Sequence, residues 1–178
     1  MLKLDRDDLM DRLIKLDINA ALLFDNNERL RLVIAGGGAL ILQQYIVRYT
    51  GDMDAISASP VLLSLLKEYN INCAVQTFIN NFPYNFEDRL VLLFSGRKID
   101  FFTASLEDIV IAKLYSIRPV DQGDVELDDI VNALDWDLLD RLATDEDEAR
   151  ASALNDRNYA DFHANYIKYR KRFAPCRH

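Results

Sequence analysis

Two aspartates, Asp52 and Asp54, stand two residues apart in the segment GDMDAIS, and three consecutive glycines precede them by about one short helix. Side chains alternate between the two faces of a strand, so both carboxylates are predicted to lie on one face. Two negative charges on one face are costly unless they are solvated, paired or bound to a metal. Carboxylate oxygens are ligands that Mg²⁺ prefers, so the pair predicts a magnesium site.

The glycine triplet Gly36, Gly37 and Gly38 follows a strand-like apolar run and precedes the apolar sequence ALIL. Without a Cβ, glycine lets the backbone approach a ligand closely, and N–H groups at a helix start can bind phosphate. The triplet lacks the lysine of a P-loop, and a dinucleotide fingerprint would need glycine at Ile41. Alone it is equally typical of a tight strand-to-helix turn. Combined with the aspartates, it predicts a phosphate-sized gap beside a metal.

The composition indicates a globular protein, because half of the 178 residues are hydrophobic and that length can bury one core. No apolar run is long enough to span a membrane, and the charged start MLKLDRDDLM does not resemble a signal peptide. Cys73 and Cys176 have no metal-ligand spacing, so a reduced cytoplasm is expected. No membrane association is expected, because no apolar run is long enough. The net charge of −8 argues against a broad polyanion-binding surface, though not against local basic patches.

The hydrophobic periodicity predicts an α/β (α+β) fold, with a mixed sheet flanked by helices up to about residue 104 and a helical half over residues 105–178. No linker rich in glycine or proline divides the chain, so a single domain over residues 1–178 is expected. Predicted helices cover residues 5–23, 39–47, 60–69, 105–118, 125–134, 137–143 and 149–173. The sequence SLED at residues 105–108 resembles a capping box, so Ser105 is predicted to cap its helix. Predicted strands cover residues 29–35, 51–57, 71–78, 89–94 and 98–102.

Ordered motifs between about residues 30 and 130 resemble the polymerase-β-type nucleotidyltransferase superfamily. The residues that carry the resemblance form two sets. The first set is the glycine triplet followed by Arg48-x-Thr50-x-Asp52-x-Asp54. The second set is SLEDI at residues 105–109, then Lys113-Leu114, Arg118 and Asp121-x-x-Asp124. Together the two sets are similar to the bacterial AbiEii-like group, some of whose members act as toxins or antitoxins. A mixed sheet of the nucleotidyltransferase type is therefore expected.

The resemblance implies a magnesium–nucleotide site. The glycine triplet, chiefly Gly37 and Gly38, would cradle the triphosphate, and Asp52 and Asp54 would hold Mg²⁺. In the broad superfamily a third carboxylate on a neighbouring strand completes the metal site and can help to activate the attacking hydroxyl. Asp100 is the candidate for that role, and an ordinary turn or edge aspartate is the alternative.

The resemblance also adds Lys113 to the catalytic set, and Arg48, Thr50, Arg118 and Asp124 to the nucleotide-binding set. The resemblance implies that Lys113 points at phosphate, and the alternative is that it extends along its apolar helix to solvent. Asp124 follows a predicted bend at Pro119 and Gly123, where capping of the next helix is the alternative role. Gly38 stands where members of the superfamily commonly carry a phosphate-binding serine.

The expected function is Mg²⁺-dependent transfer of a nucleoside monophosphate from an NTP to a hydroxyl of an RNA, a tRNA end included, or of a protein. A role in a toxin–antitoxin or phage-defence system is part of this expectation. The alternative is a catalytically silent module with the same fold, which would act as an antitoxin or regulatory subunit and bind a cognate partner.

An aromatic stripe near the C-terminus predicts either core and interface packing or a platform for stacking bases. The stripe consists of Tyr159, Phe162, Tyr166, Tyr169 and Phe173. Basic residues accompany it, and they favour either the negative end of a helix dipole or an RNA backbone. These residues are Lys168, Arg170, Lys171, Arg172 and Arg177.

Overall fold

The computed structural model describes residues 3–24, 27–73 and 79–175. The chain forms two compact units, the first comprising Met1–Val75 with Leu90–Ala104 and the second Gln76–Arg89 with Ser105–His178. The first unit contains the sheet, and helices dominate the second. The predicted α/β class is confirmed, whereas a single domain over residues 1–178 stays a prediction.

The sheet of the first unit is mixed, as the sequence predicts. Its strands are β1 Leu30–Ala35, β2 Met53–Ala58, β3 Ile71–Asn72, β4 Val91–Ser95 and β5 Ile99–Thr103, and their spatial order is β3-β2-β1-β5-β4. Strand β1 is antiparallel to β2 and parallel to β5. Strand β3 runs parallel to β2, and β4 runs antiparallel to β5. The central strand β1 therefore lies between β5 and β2, the strand that carries Asp54.

Apolar side chains form the core of the first unit. Leu32 and Ile34 on β1 and Phe101 on β5 are fully buried. Helix α1, Arg6–Leu23, buries Leu9 and Leu13, which are four residues apart and therefore lie on one helical face. The helix begins with a capping box in which Asp5 and Asp8 each bind the other's backbone N–H. The predicted helix over residues 5–23 is thus confirmed.

The glycine triplet differs from its prediction as a turn before the helix. Helix α2, Gly36–Leu42, begins at the first glycine and ends five residues before the predicted position 47. Two left-handed residues explain these limits, because Gly36 has φ +63° and Gln44 has φ 66°. A left-handed residue interrupts the helical hydrogen-bond pattern, so α2 ends before Gln44, and at its start glycine accepts the positive φ of residue 36 without strain.

Two other predicted elements are shorter or broken. The helix predicted over residues 60–69 consists of the α-helical turn α3, Leu63–Leu66, between two 3₁₀ turns, and left-handed Asn70 follows it. The strand predicted over residues 71–78 is confirmed only as β3, and residues 74–78 lie outside the described residues.

Helices of the second unit are α4 Leu106–Leu114, α5 Pro119–Val125, α6 Asp128–Ala133, α7 Trp136–Thr144, α8 Ala149–Ser152 and α9 Asp156–Phe173. The predicted cap at Ser105 is confirmed, because its hydroxyl accepts a hydrogen bond from the Asp108 N–H at 3.1 Å. The predicted bend at residues 119–123 is wrong. Pro119 occupies the first turn of α5, where its fixed φ favours a helix. The predicted helix over 149–173 is divided into α8 and α9.

The aromatic stripe of α9 lies in the core of the second unit. Phe162, Tyr166 and Tyr169 are buried. The ring of Phe162 stacks on Tyr115 with centroids 4.3 Å apart, and the ring of Tyr169 stacks on Trp136 at 5.7 Å. These contacts support the packing interpretation of the stripe.

Two residues named from the sequence, Cys176 and Arg177, lie outside the described ranges. Within those ranges, no helix combines the length and the apolar character needed to cross a bilayer.

Candidate functional site

Strand pairing brings Asp54 to the glycine triplet. Asp54 is the second residue of β2, and its partner across the β1–β2 ladder is Ala35, the last residue of β1. Gly36 follows Ala35 directly, so the register places Asp54 where β1 passes into α2. The predicted convergence of an aspartate with the glycines is therefore present in the fold.

Two of the glycines lie directly against charged side chains. A Cβ on Gly36 would stand 3.4 Å from Oδ2 of Asp54. A Cβ on Gly37 would stand within 3.0 Å of Nη2 of Arg48, closer than real Cβ contacts allow. The Arg48 guanidinium thus occupies space that a Cβ at Gly37 would need, and the Asp54 carboxylate lies at ordinary contact distance from the Cβ position of the neighbouring Gly36. Such a site presents groups that suit a cation and a phosphate side by side.

The third glycine packs against the residue that stands between the two aspartates. Gly38 is buried against Met53, whose Cγ would lie 3.3 Å from a Cβ at this glycine. Met53 separates Asp52 from Asp54, and alternation along β2 directs Asp54 away from the buried methionine. Asp52 is exposed just before β2, and Asp54 is half-buried. The shared direction of the pair stays a prediction, because Asp52 lies just outside the strand.

Thr50 and Arg48 are held at the entrance to β2. The backbone of Thr50 exchanges hydrogen bonds of 2.8 and 2.9 Å with Leu4, and its hydroxyl donates to the carbonyl of Asp52 at 3.0 Å. Nη1 of Arg48 donates to the carbonyl of Tyr49 at 3.3 Å. The described hydrogen bond of the Thr50 side chain thus stabilises the loop that carries Asp52.

Asn72 is a site residue that sequence reasoning missed. It is paired with Asp54 in the parallel β2–β3 ladder, and its Nδ2 donates to Oδ1 of Asp54 at 3.3 Å. Nothing in the local sequence distinguishes Asn72 from an ordinary polar residue in a strand. Only the pairing of β2 with β3 brings its amide to the carboxylate.

Asp100 is not brought to the aspartate pair. Its partner on β1 is Arg31, whereas the partner of Asp54 is Ala35, four positions farther along the same strand. Four residues of strand span about 13 Å, which exceeds the reach of ligands around one metal ion. Asp100 instead forms an ion pair with Arg29, and the hydrogen bond from that guanidinium lowers its pKa. The register therefore argues against Asp100 as the third ligand.

The residues at the glycine turn fit Mg²⁺ that is bound together with phosphate. Asp52 and Asp54 offer hard oxygen donors, and proteins commonly hold Mg²⁺ by one or two carboxylates plus phosphate oxygens of a substrate. In the described part of the chain, no group of three or more acidic, histidine or cysteine side chains is placed to hold a metal ion. The donor set thus suits a shared metal–phosphate site better than a metal cage built from protein alone.

Lys113 belongs to a buried network in the second unit. Its side chain is 5% exposed, and Nζ donates to Asp121 at 2.6 Å and to Asp124 at 2.9 Å. The alternative in which this lysine extends to solvent is therefore wrong. Asp124 does not cap a helix, because it lies inside α5 and accepts from Lys113.

Asp121 is the centre of this network. Oδ2 of Asp121 accepts from the Ser116 hydroxyl at 2.7 Å and from Arg118 Nε at 2.6 Å. Burial raises the pKa of Asp121, but the hydrogen bonds from Lys113, Ser116 and Arg118 outweigh burial and keep it below its ordinary value. The network joins α4 to α5, and the roles that the resemblance gives to Lys113, Arg118 and Asp124 stay predictions.

A second buried ion pair of this unit also escaped sequence reasoning. Arg89 donates to both carboxylate oxygens of Asp108, with Nη2 2.8 Å from Oδ1 and Nε 3.1 Å from Oδ2. Burial raises the pKa of Asp108 despite these bonds. Nineteen positions separate the two residues, and neither belongs to a motif that predicts the other.

A mixed sheet in which an aspartate of one strand meets the glycine turn of its neighbour is the arrangement expected of a nucleotidyltransferase. Residues 11–174 match the model of the family DUF6036, described as a nucleotidyltransferase of unknown function. The chain therefore belongs to this family, and the predicted nucleotidyltransferase class is confirmed at that level. No curated protein and no solved structure matches the chain. Similarity to the AbiEii-like group stays a prediction.

Proposed function

We propose that the protein is a Mg²⁺-dependent nucleotidyltransferase that moves a nucleoside monophosphate from an NTP to a hydroxyl of an RNA or protein acceptor. One observation carries the proposal: Asp54 and Arg48 reach the same glycine turn, at Gly36 and Gly37 respectively. A carboxylate and a guanidinium on adjacent backbone positions complement a metal–triphosphate pair, which carries both signs of charge.

Different residues bind the metal ion and the phosphate groups. Asp52 and Asp54 hold the metal ion, and Arg48 binds phosphate oxygens beside Gly37. When bound, Mg²⁺ neutralises charge on the triphosphate. The acceptor oxygen forms a bond to the α-phosphorus as the bond to the bridging oxygen breaks. Pyrophosphate leaves with that electron pair, and the hydroxyl proton passes to solvent. Positioning of the two reactants by these side chains is the main contribution of the protein.

The acceptor is a hydroxyl of an RNA, such as a tRNA end, or of a protein. A cytoplasmic toxin–antitoxin or phage-defence system is the setting that the motif resemblance favours, with a cognate toxin or antitoxin as the partner.

Calorimetry with Mg²⁺ and each common NTP tests the binding step. Asp54→Asn should weaken binding by about tenfold or more, because an amide lacks the charge that holds the metal. The matched control is Asp11→Asn, an exposed aspartate of α1. Equal affinity of wild type and Asp54→Asn would refute the proposal.

The transfer step requires a separate assay, in which the protein is incubated with each labelled NTP, Mg²⁺ and cell lysate. Label on RNA or on protein identifies the acceptor class. Loss of that label with Asp52→Asn would assign the transfer to this site.

A catalytically silent module is the second candidate, and one observation favours it. The residues paired with Asp54 on the two neighbouring strands are Ala35 and Asn72, so neither supplies a third carboxylate. A silent module would transfer no label, bind Mg²⁺–NTP weakly or not at all, and form a stable complex with a cognate partner.

A further inference from the structure

Strand β2 has a neighbour on each side, and only one of them offers Asp54 a polar side chain. Across β1 the partner of Asp54 is Ala35, whose methyl group can neither donate nor accept a hydrogen bond. Across β3 the partner is Asn72, whose amide can do both. Of the two strand residues paired with Asp54, Asn72 is therefore the one whose side chain can hydrogen-bond its carboxylate.

The two oxygens of Asp54 have different environments. Oδ1 accepts a hydrogen bond from Nδ2 of Asn72 at 3.3 Å. Oδ2 lies toward the glycine turn, 3.4 Å from the Cβ position of Gly36. A hydrogen bond to one carboxylate oxygen restricts rotation of the group, as partners of metal ligands do in known metal sites. The amide thus orients the carboxylate with its other oxygen toward the turn.

We propose that Asn72 is a positioning residue that makes divalent-cation binding at this site depend on the nucleotide; this inference rests on the proposed function. With a neutral amide at position 72, the site has the two carboxylates of Asp52 and Asp54. Two carboxylates bind a hydrated divalent cation weakly, and phosphate oxygens of the NTP complete its coordination.

An aspartate at position 72 would change this behaviour. Neighbouring strands are about 4.8 Å apart, so its carboxylate would stand beside Asp54, close enough for both to bind one cation. Asn72→Asp should therefore bind a divalent cation in the absence of nucleotide. Asn72→Ala should lose the orientation of Asp54, whereas Asn72→Gln keeps an amide donor.

The experiment titrates Mn²⁺ alone, followed by paramagnetic resonance of the free ion, into wild type and Asn72→Asp. Asn72→Asp should bind Mn²⁺ at least about tenfold more tightly than wild type, because a charged ligand is added. The control for added charge is Asn27→Asp, since Asn27 is exposed before the start of β1, at the opposite end of that strand from Gly36. This control should leave Mn²⁺ affinity at the wild-type value.

Calorimetry with Mg²⁺–ATP provides the second measurement. Asn72→Ala should weaken binding by about tenfold, the low end of the effect of losing a group that orients a metal ligand. Asn72→Gln should recover part of this loss, and thermal unfolding should show that the variants remain folded. If Asn72 had only a structural role, its substitutions would lower the melting temperature but would not place the Mg²⁺–ATP affinities in the order wild type, Asn72→Gln, Asn72→Ala.

The outcomes separate the inference from the proposed function. If Asp54→Asn weakens Mg²⁺–ATP binding but Asn72→Asp gains no Mn²⁺ affinity, the inference is wrong and the proposed function stands. If wild type binds no Mg²⁺–NTP, the proposed function fails, and Mn²⁺ binding by wild type and Asn72→Asp still decides the role of residue 72. Tight binding of Mn²⁺ to wild type without nucleotide would also overturn the inference.

Discussion

The guanidinium of Arg48 lies against the backbone of Gly37, where a Cβ would come within 3.0 Å of Nη2. This glycine is needed for a close approach and not for its backbone angles, because only Gly36 of the triplet has a positive φ. The two adjacent glycines therefore serve different purposes. Gly36 permits the left-handed start of α2, and Gly37 leaves room for the guanidinium of Arg48.

Substitution of Gly37 by alanine tests whether Arg48 binds phosphate. The new methyl group would displace the end of a flexible side chain, so Gly37→Ala should leave the melting temperature within a few degrees of wild type. Loss of a charge-assisted contact should weaken Mg²⁺–ATP binding by about tenfold. Calorimetry measures this effect.

The matched control for that experiment is Gly123→Ala in α5, where a Cβ would meet no atom within 4 Å. This alanine should stabilise the helix by about 0.5–1 kcal/mol and leave nucleotide affinity unchanged. If Gly37→Ala binds Mg²⁺–ATP as tightly as wild type, Arg48 in its described position does not belong to the binding site.

Asp17 provides a stability prediction for the first unit. Its carboxylate is buried and accepts three backbone N–H bonds, from Arg97 at 2.6 Å and from Lys98 and Ile99 at 2.8 Å. Asp17→Ala would leave these donors without their acceptor, so it should destabilise the protein by at least about 3 kcal/mol. Urea unfolding followed by circular dichroism measures the change in free energy.

A control on the same helix distinguishes burial from charge. Asp11 is exposed and pairs with Lys15 one helical turn later, so Asp11→Ala should cost less than about 0.5 kcal/mol. Gly96→Ala should resemble Asp17→Ala, because a Cβ there would come within 3.0 Å of the Asp17 carboxylate. Similar small losses for all three variants would show that this contact does not stabilise the hairpin of β4 and β5.

The low pKa of Asp121 predicts that the second unit loses folding stability in acid. Burial opposes its ionisation, but hydrogen bonds from Lys113, Ser116 and Arg118 keep its pKa below the ordinary value. Its contribution to stability is therefore complete above the unfolded pKa of about 3.9 and is lost as the pH falls through the lower folded pKa. Asp121→Asn should cost roughly 3 kcal/mol at neutral pH, because one partner of a buried ion pair is removed.

The measurement is urea unfolding between pH 7 and pH 3. Wild type should lose stability more steeply than Asp121→Asn at the acid end of this range. Asp161→Asn, an exposed substitution in α9, should follow the wild-type curve. Parallel curves for wild type and Asp121→Asn would contradict the assigned role of the network.

Features that depend on local sequence could be predicted. The apolar spacing of α1 and the hydroxyl of Ser105 each determine structure within one or two helical turns, and both predictions are confirmed. The mixed sheet also follows from the alternation of strands and helices up to Asp100. The approach of Asp54 to Gly36 was predictable because a short segment joins β1 to β2, which limits where the aspartate can lie.

Features that depend on strand register or distant contacts could not be predicted. Asn72 meets Asp54 only through the pairing of β3 with β2, and Asp17 meets residues 97–99 from a helix about eighty positions earlier. Helix α5 was missed because Pro119 and Gly123 are typical of bends, whereas Lys113 binds two of its aspartates and stabilises the helix.

Asp100 shows the effect of register most clearly, and it gives the last prediction. The sequence places it correctly on β5, but pairing with Arg31 sets it about 13 Å along β1 from the level of Asp54. Asp100→Asn should therefore leave Mg²⁺–ATP affinity within about twofold of wild type, because the metal ligands are unaffected. The ion pair with Arg29 is partly exposed, so its loss should cost less than about 1 kcal/mol. A loss of affinity as large as that of Asp54→Asn would mean that Asp100 acts at the metal, against the register of the sheet.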